Sequence, residues 1–225
     1  MPSTNSEAIV EAIRRDGLIH SDLAMWRDSM PDPDIVRQRS SELLGSPATI
    51  RDRLRKLPIR PIVYACGDLY GGSYYALRHN HSDQNSVSIL IEFEVPWSVL
   101  CVDGKDFLYA VFQRLDRTRA DRFDFVRRTL TTLYGRHIQQ YVDAAAEWSE
   151  THGRIGLCDL ACHDLDVVRS HHANRCLIAG RFETQFCSSF QVQFPVVAAA
   201  VVSLTVSPVM PQKPERQIGL DDLIH

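Results

Sequence analysis

The sequence predicts an α+β fold with a mixed or antiparallel sheet core and helical insertions. Three observations carry that expectation. Short β-rich runs follow one another without the regular intervening helices of a wound parallel sheet, an amphipathic helical pattern spans 121–149, and strand-like runs return after Cys176. The pivot of the chain is Ile62–Asn80, IVYACGDLYGGSYYALRHN. It opens as a short buried strand, turns through Gly67–Gly72 and restarts as a helix carrying paired tyrosines.

Taken in order, Thr4-Asn5-Ser6-Glu7 has capping-box spacing, and Ile9, Val10 and Ile13 form one apolar stripe. Gly17 supplies a left-handed stop, so the first element is a short helix. Residues 21–60 are a polar segment with helical pieces, and read as an insertion or lid. Within it PDPD at 31–34 marks a turn and Ile35–Leu44 reads as one helix. Ser46-Pro47 then offers an N-cap followed by proline at the first helical position, with Ile50, Leu54 and Leu57 on a buried side.

Pro61 introduces the strand Ile62–Cys66, and Ser73–Arg78 is the helix after the turn. Val87–Val95 alternates, placing Ile89, Ile91 and Phe93 on one side, until Pro96 ends it. Val99–Val102 is a short strand, Asp103-Gly104 a turn, and Phe107–Phe112 fits strand or helix. In the long helical pattern Phe123, Val126, Leu130, Leu133, Tyr134, Ile138, Tyr141, Ala145 and Trp148 recur at three- and four-residue steps, with Gly135 as a weak point. Cys176–Ile178, Phe182–Phe186, Phe190–Phe194 and Val201–Val206 read as strands. A single domain therefore covers 1–206, and 207–225 is an irregular, proline-containing arm whose IGLDDLIH adds one amphipathic turn.

Composition excludes several functions. The 225 residues, 44% hydrophobic and 24% charged, suit one globular domain. A net charge of −3 gives no footprint for nucleic acid, and the basic clusters Arg51–Lys56 and Arg114–Arg128 are interrupted by acids and read as solvated helix faces. No run reaches the ~20 apolar residues of a membrane span; Phe194–Val206 is broken by Pro195, Ser203 and Thr205. The acidic N-terminal stretch is not a secretory signal of the Sec type, and six cysteines do not make a disulfide framework. The expected location is the cytoplasm, or outside the cell for an effector secreted without a cleaved signal.

Two stretches then carry a resemblance. AIRRDGL (Ala12–Leu18) looks like the end of a first helix, and VYACGDLYGGSYYA (Val63–Ala76) like a strand–turn–helix with an aromatic on the strand and another on the helix. With the ILIEFEV and LCVDG runs that follow, about half the chain resembles the ADP-ribosyltransferase fold, in its diphtheria-toxin-like and poly(ADP-ribose)-polymerase-like branch. The resemblance implies NAD as co-substrate and transfer of ADP-ribose to a protein side chain, as in bacterial effectors and toxins that modify host proteins such as ubiquitin. It implies that Tyr75 stacks on nicotinamide, that Tyr64 lines the pocket, and that the adjacent Tyr74 exchanges with Tyr75.

The chemistry needs these residue types. Cleaving the nicotinamide–ribose bond builds positive charge on the sugar, which a carboxylate stabilises, while aromatic rings hold the cationic nicotinamide. Glu183 in RFETQF takes the acidic role, with Gln185 and Gln191 as contacts for the target; in a shifted register Gln191 stands at the acidic position. One departure is plain: where the family carries a histidine or arginine on its first strand, counting back from Gly17 reaches Ser3, and His20 follows the turn instead.

Competing arrangements are a zinc site at Cys158, Cys162, His172 and Cys176, and a cysteine nucleophile at Cys66 or Cys187. Ordinary packing explains the first set, and neither cysteine has a signature around it. The GDLYGG turn lacks a P-loop lysine. An NAD-degrading toxin is a neighbouring reading, and a non-enzymatic binding module, stabilised by zinc, is the alternative from another class.

Overall fold

A computed structural model describes residues 4–18, 28–78 and 87–225, with side chains from Glu7 onward. The protein is mixed α and β, built mostly of antiparallel pairs. Its elements run α1 (Thr4–Asp16), β1 (Gly17–Leu18), β2 (Ser29–Pro31), α2 (Pro33–Gln38), α3 (Ser40–Leu44), α4 (Ile50–Leu54), β3 (Ile59–Cys66) and α5 (Leu69–Arg78). There follow β4 (Ile89–Phe93), β5 (Leu100–Val102), α6 (Leu108–Gln113), α7 (Ala120–Tyr134), α8 (Ile138–Glu147), α9 (Thr151–His163) and α10 (Leu165–His172). The chain closes with β6 (Leu177–Ala179), β7 (Gln185–Phe186), β8 (Ser189–Gln193), β9 (Val196–Val197), β10 (Val201–Val206), β11 (Gln217–Gly219) and α11 (Asp221–Ile224).

The central sheet has the order β2-β3-β8-β5, all antiparallel. Side chains alternate across a strand, so its two faces follow from register. Val63 and Ala65 of β3 lie opposite Val192 and Phe190 of β8, which lie opposite Leu100 and Val102 of β5. This apolar face packs into the main core with Leu108, Phe112, Leu130, Tyr134 and Leu157. The other face carries Tyr64 and Cys66 opposite Gln191 and Ser189, with Gln193 opposite Ile62. This face also carries the small apolar cluster Met30, Ile62 and Cys101.

The helical layer is centred on α9, where Ile155, Leu157, Cys158, Leu160, Ala161, Cys162 and His163 are all buried. A helix apolar on every side has no stripe to betray it, which is why sequence periodicity did not find this one. Helices α2 to α4 pack on α9 and bury Val36, Leu43, Ile50 and Leu54. This part of the expected insertion is therefore core, not lid. Arg37 staples it in place, donating to the carbonyls of His163 (2.8 Å), Ser98 (2.6 Å) and Leu100 (2.7 Å). The helix expected over Ile35–Leu44 divides at Arg39 into α2 and α3.

The pattern over 121–149 forms two helices, not one. Gly135 leaves α7 with φ +80°, and α8 restarts at Ile138; the apolar steps continue because both helices bury the same side in one core. A Cβ built on Gly135 would lie 2.2 Å from Ser170 Oγ. Gly135→Ala is expected to cost about 2 to 4 kcal/mol, combining left-handed strain with the clash against α10, measured as the shift of the urea midpoint.

Phe107–Phe112, left open between strand and helix, is mostly helix as α6. The strand expected over Phe182–Phe186 reduces to Gln185–Phe186, because Phe182 and Glu183 turn with φ 54° and 60°. The expected arm at 207–225 docks: β11 pairs parallel with β6, and Leu220 and Leu223 are buried. The capping box at Thr4–Glu7 rests on side chains at positions 4–6, outside the described ones, and His20 is also outside the described residues.

Candidate functional site

The site is built where the polar sheet face meets α5. Asp68 stands at the N-terminus of α5 and holds it by its carboxylate. Oδ1 accepts from the Gly71 amide (2.6 Å), while Oδ2 accepts from the amides of Cys187 (2.9 Å) and Ser188 (3.2 Å). One side chain thus caps the helix and pins the β7–β8 turn to it. Two tyrosines extend the clamp along α5: Tyr70 donates to Gln185 Oε1 (3.1 Å) and Tyr74 to the carbonyl of Glu183 (2.7 Å). Arg78 lies 4.9 Å from the Tyr74 ring centroid and donates to its hydroxyl (3.3 Å).

These contacts settle where the expected residues stand. Tyr74 is only 5% exposed and fastens the β6–β7 turn. Glu183 is brought to α5 by its main chain, yet its side chain is exposed on that turn and forms no hydrogen bond or ion pair among the described residues. Gln191, the shifted-register alternative, sits in β8 between Tyr64 of β3 and Cys101 of β5.

Asp103 stands one residue beyond β5 at the polar face, and its amide donates to Ser189 O (3.0 Å). Its Oδ1 accepts from the Lys105 amide (3.3 Å) and Gln191 Nε2 (3.4 Å). Lys105 Nζ donates to Tyr64 Oη, lies 5.1 Å from that ring's centroid and 3.9 Å from Asp28 Oδ1. Burial lifts the Asp103 carboxyl above its ordinary range, Lys105 and Gln191 oppose this, and Asp106 adds to it. Burial also lifts Asp106, against a hydrogen bond from Thr184 and the charges of Arg181 and Lys105.

Tyr75 is half-buried, and burial raises its phenol further than the nearby Cys66, Asp106 and Asp103 do. The Asp103 charge also raises the Tyr64 phenol, again less than burial does. A carboxyl, a lysine and a phenol, each with shifted acidity, are thus joined on the polar face, a pattern that functional sites favour. Sequence reasoning passed over Asp103, Lys105 and Asp106 because DGKD was read as a turn alone; three charges directly after the buried LCV run were the available signal.

The competing arrangements disperse. Cys158 and Cys162 are sealed in α9, Cys176 is buried elsewhere, and exposed His172 stands edge-on to Trp97 at 5.1 Å, so no three of the four gather within coordinating reach. All six cysteines are free thiols. Burial holds Cys66 protonated and pushes Cys187 up to about 11, so neither is a ready thiolate. Among the described residues His137, Asp164 and Asp166 do approach one another. Asp164, however, caps α10 and accepts from Tyr141 (2.9 Å), and Asp166 pairs with Arg169 and His137.

Comparison with protein-family models, with curated proteins and with solved structures finds no match. Among the described residues no helix is long and apolar enough to cross a membrane.

Proposed function

We propose that this protein is an NAD-dependent mono-ADP-ribosyltransferase acting on a protein side chain, on an ADP-ribosyltransferase-like form of its α+β fold. The observation that carries the reading is the hydrogen-bonded cluster of Tyr64, Lys105, Asp103 and Gln191 on the polar face of the sheet, with Tyr75 half-buried on the helix α5 that packs against β3. Two phenol rings suit a cationic nicotinamide. A carboxylate in a partly desolvated site stabilises positive charge that grows on a sugar. In this proposal Asp103 takes the role expected of Glu183, because Asp103 is half-buried and hydrogen-bonded to Lys105 and Gln191 while the Glu183 side chain is exposed.

In this mechanism the ribose–nicotinamide C–N bond breaks and its electron pair leaves on nicotinamide. Asp103 stabilises the sugar cation, and a nucleophile of the target protein adds to the same carbon. Asp106 accepts the proton that this nucleophile loses.

Asp103→Asn is expected to lower nicotinamide release about 100- to 1,000-fold, as removal of a preorganised charge-stabilising group does. Glu183→Ala is expected to leave the rate within about threefold, since its charge is screened by water. The acid limb of the rate profile should lie above that of an ordinary aspartate, because Asp103 must be ionised. Full activity in Asp103→Asn would return the acidic role to Glu183 or remove the transferase reading.

A second reading has its own support: the polar groups of this face already satisfy one another, Asp103 with Lys105 and Gln191, and Lys105 with Tyr64. A non-enzymatic binding module would bind NAD without releasing nicotinamide. An NAD-degrading toxin would release it with water alone as acceptor.

A further inference from the structure

A cavity of about 390 Å³ opens between α6, the first turns of α7 and α11, with Arg154 of α9 at its edge. Its charge is one-sided. Arg114, Arg119, Arg122 and Arg154 line it against a single carboxylate, Asp116, whose Oδ1 accepts from the Thr118 amide (2.8 Å) and hydroxyl (2.7 Å). Arg154 is fixed by donating to the carbonyls of Trp148 (2.5 Å) and Gln113 (2.9 Å). Arg122 is the unusual member: its Nη2 is buried and has no hydrogen-bond partner among the described residues. A buried guanidinium nitrogen without an acceptor is costly, so the arrangement calls for an anion.

Backbone geometry adds to it. Helix α7 runs fifteen residues, its N-cap Arg119 lines the cavity, and no side chain caps that N-terminus. The remaining wall is apolar, with Phe123 and Leu223 among its residues. The volume exceeds what a lone inorganic ion needs and falls in the range of small-molecule sites, about 300–1,000 Å³. Several guanidiniums suit the many oxygens of a phosphate better than a carboxylate, which one bidentate arginine satisfies.

We propose that this cavity binds an organic phosphate whose phosphoryl group meets Arg122 and its neighbouring arginines while an aromatic or apolar group packs on Phe123 and Leu223. The site is separate from the polar sheet face and does not rest on the transferase reading. The Arg114–Arg128 cluster, expected as a solvated helix face, is in part the lining of this cavity.

Isothermal titration of the full chain with phenyl phosphate, and separately with inorganic phosphate, tests the proposal. Phenyl phosphate is expected to bind saturably at one site, at least about tenfold more tightly than inorganic phosphate, as burial of a ring predicts. Arg122→Met is expected to weaken phenyl phosphate about 10- to 100-fold. Should that variant unfold, Arg114→Gln, at an exposed position, carries the same measurement with a loss of about tenfold. Absence of saturable binding at millimolar phenyl phosphate overturns the proposal. So does equal affinity for the two probes, or an affinity unmoved by a folded arginine variant.

Discussion

Replacing Asp68 by alanine is expected to lower the unfolding free energy by about 4 kcal/mol and to disable the polar-face site at the same time. The carboxylate holds three amides, those of Gly71, Cys187 and Ser188. Hydrogen bonds to a charged group contribute roughly 1.5–3 kcal/mol each, and the lost helix cap is part of the same sum. Such a loss is a large share of the 5–15 kcal/mol that typically holds a domain together.

Asp68→Asn is the more discriminating variant. Its single oxygen can serve Gly71 or the Cys187–Ser188 pair, but not both, and its amide group would face N–H donors. About half the alanine loss is expected. Urea unfolding followed by circular dichroism gives the values. A loss below about 1 kcal/mol in Asp68→Ala would mean that the β7–β8 turn is held by something else. On the proposed transferase reading, NAD binding should fail along with stability, because Tyr75 rides on the helix that Asp68 caps.

The second large effect is expected acid unfolding, driven by two histidines. His171 is fully buried, stacked on Tyr134 at 4.7 Å, and its Nε2 accepts from the Ser189 amide (2.9 Å). Burial brings it down to about 3, opposed by Ser189 and assisted by the charge of His172. His163 is brought down to about 4 by burial, with the carbonyl of Asp159 opposing and Arg37 assisting. A depressed folded value means that the unfolded chain binds more protons, so stability is lost as pH falls below the unfolded value of 6.5.

Buried Asp159 acts in the opposite sense. Burial raises it to about 6, against the hydrogen bond from Tyr109 and the charge of Arg51, so its protonation favours the fold as pH falls from 6 towards 3.8. At about pH 4 the histidines together cost roughly 6 kcal/mol and Asp159 offsets roughly 2, a net loss of about 4 kcal/mol. His171→Gln keeps an acceptor for Ser189 and removes about half of the histidine cost, so with the Asp159 offset unchanged the net loss at about pH 4 should fall to about 1 kcal/mol. Unfolding free energies that stay level between about pH 7 and 4 would contradict this account.

Legibility in the sequence followed the geometry of burial. Strands with one polar and one apolar face, such as Ile62–Cys66, and helices with one apolar stripe, such as α1 and α7, announce themselves by period. Helix α9 does not, because it is buried on every side, and the central helix of the fold was missed for that reason. The junction of α7 and α8 was marked by Gly135, but whether a glycine bends or ends a helix depends on Ser170 lying against it.

By itself the sequence determined an α+β chain, the pivot strand–turn–helix, and the residue types from which a site could be assembled. Tertiary structure alone decided which of them meet. It joined Asp68 to a turn 119 and 120 residues away, set Glu183 on an exposed turn, and joined Asp103 of the β5 end to Gln191 of β8. The physical reason is that hydrophobic periodicity reports which face of an element is buried, whereas the approach of charged and polar groups depends on register and on turns. Those are fixed only when the elements pack.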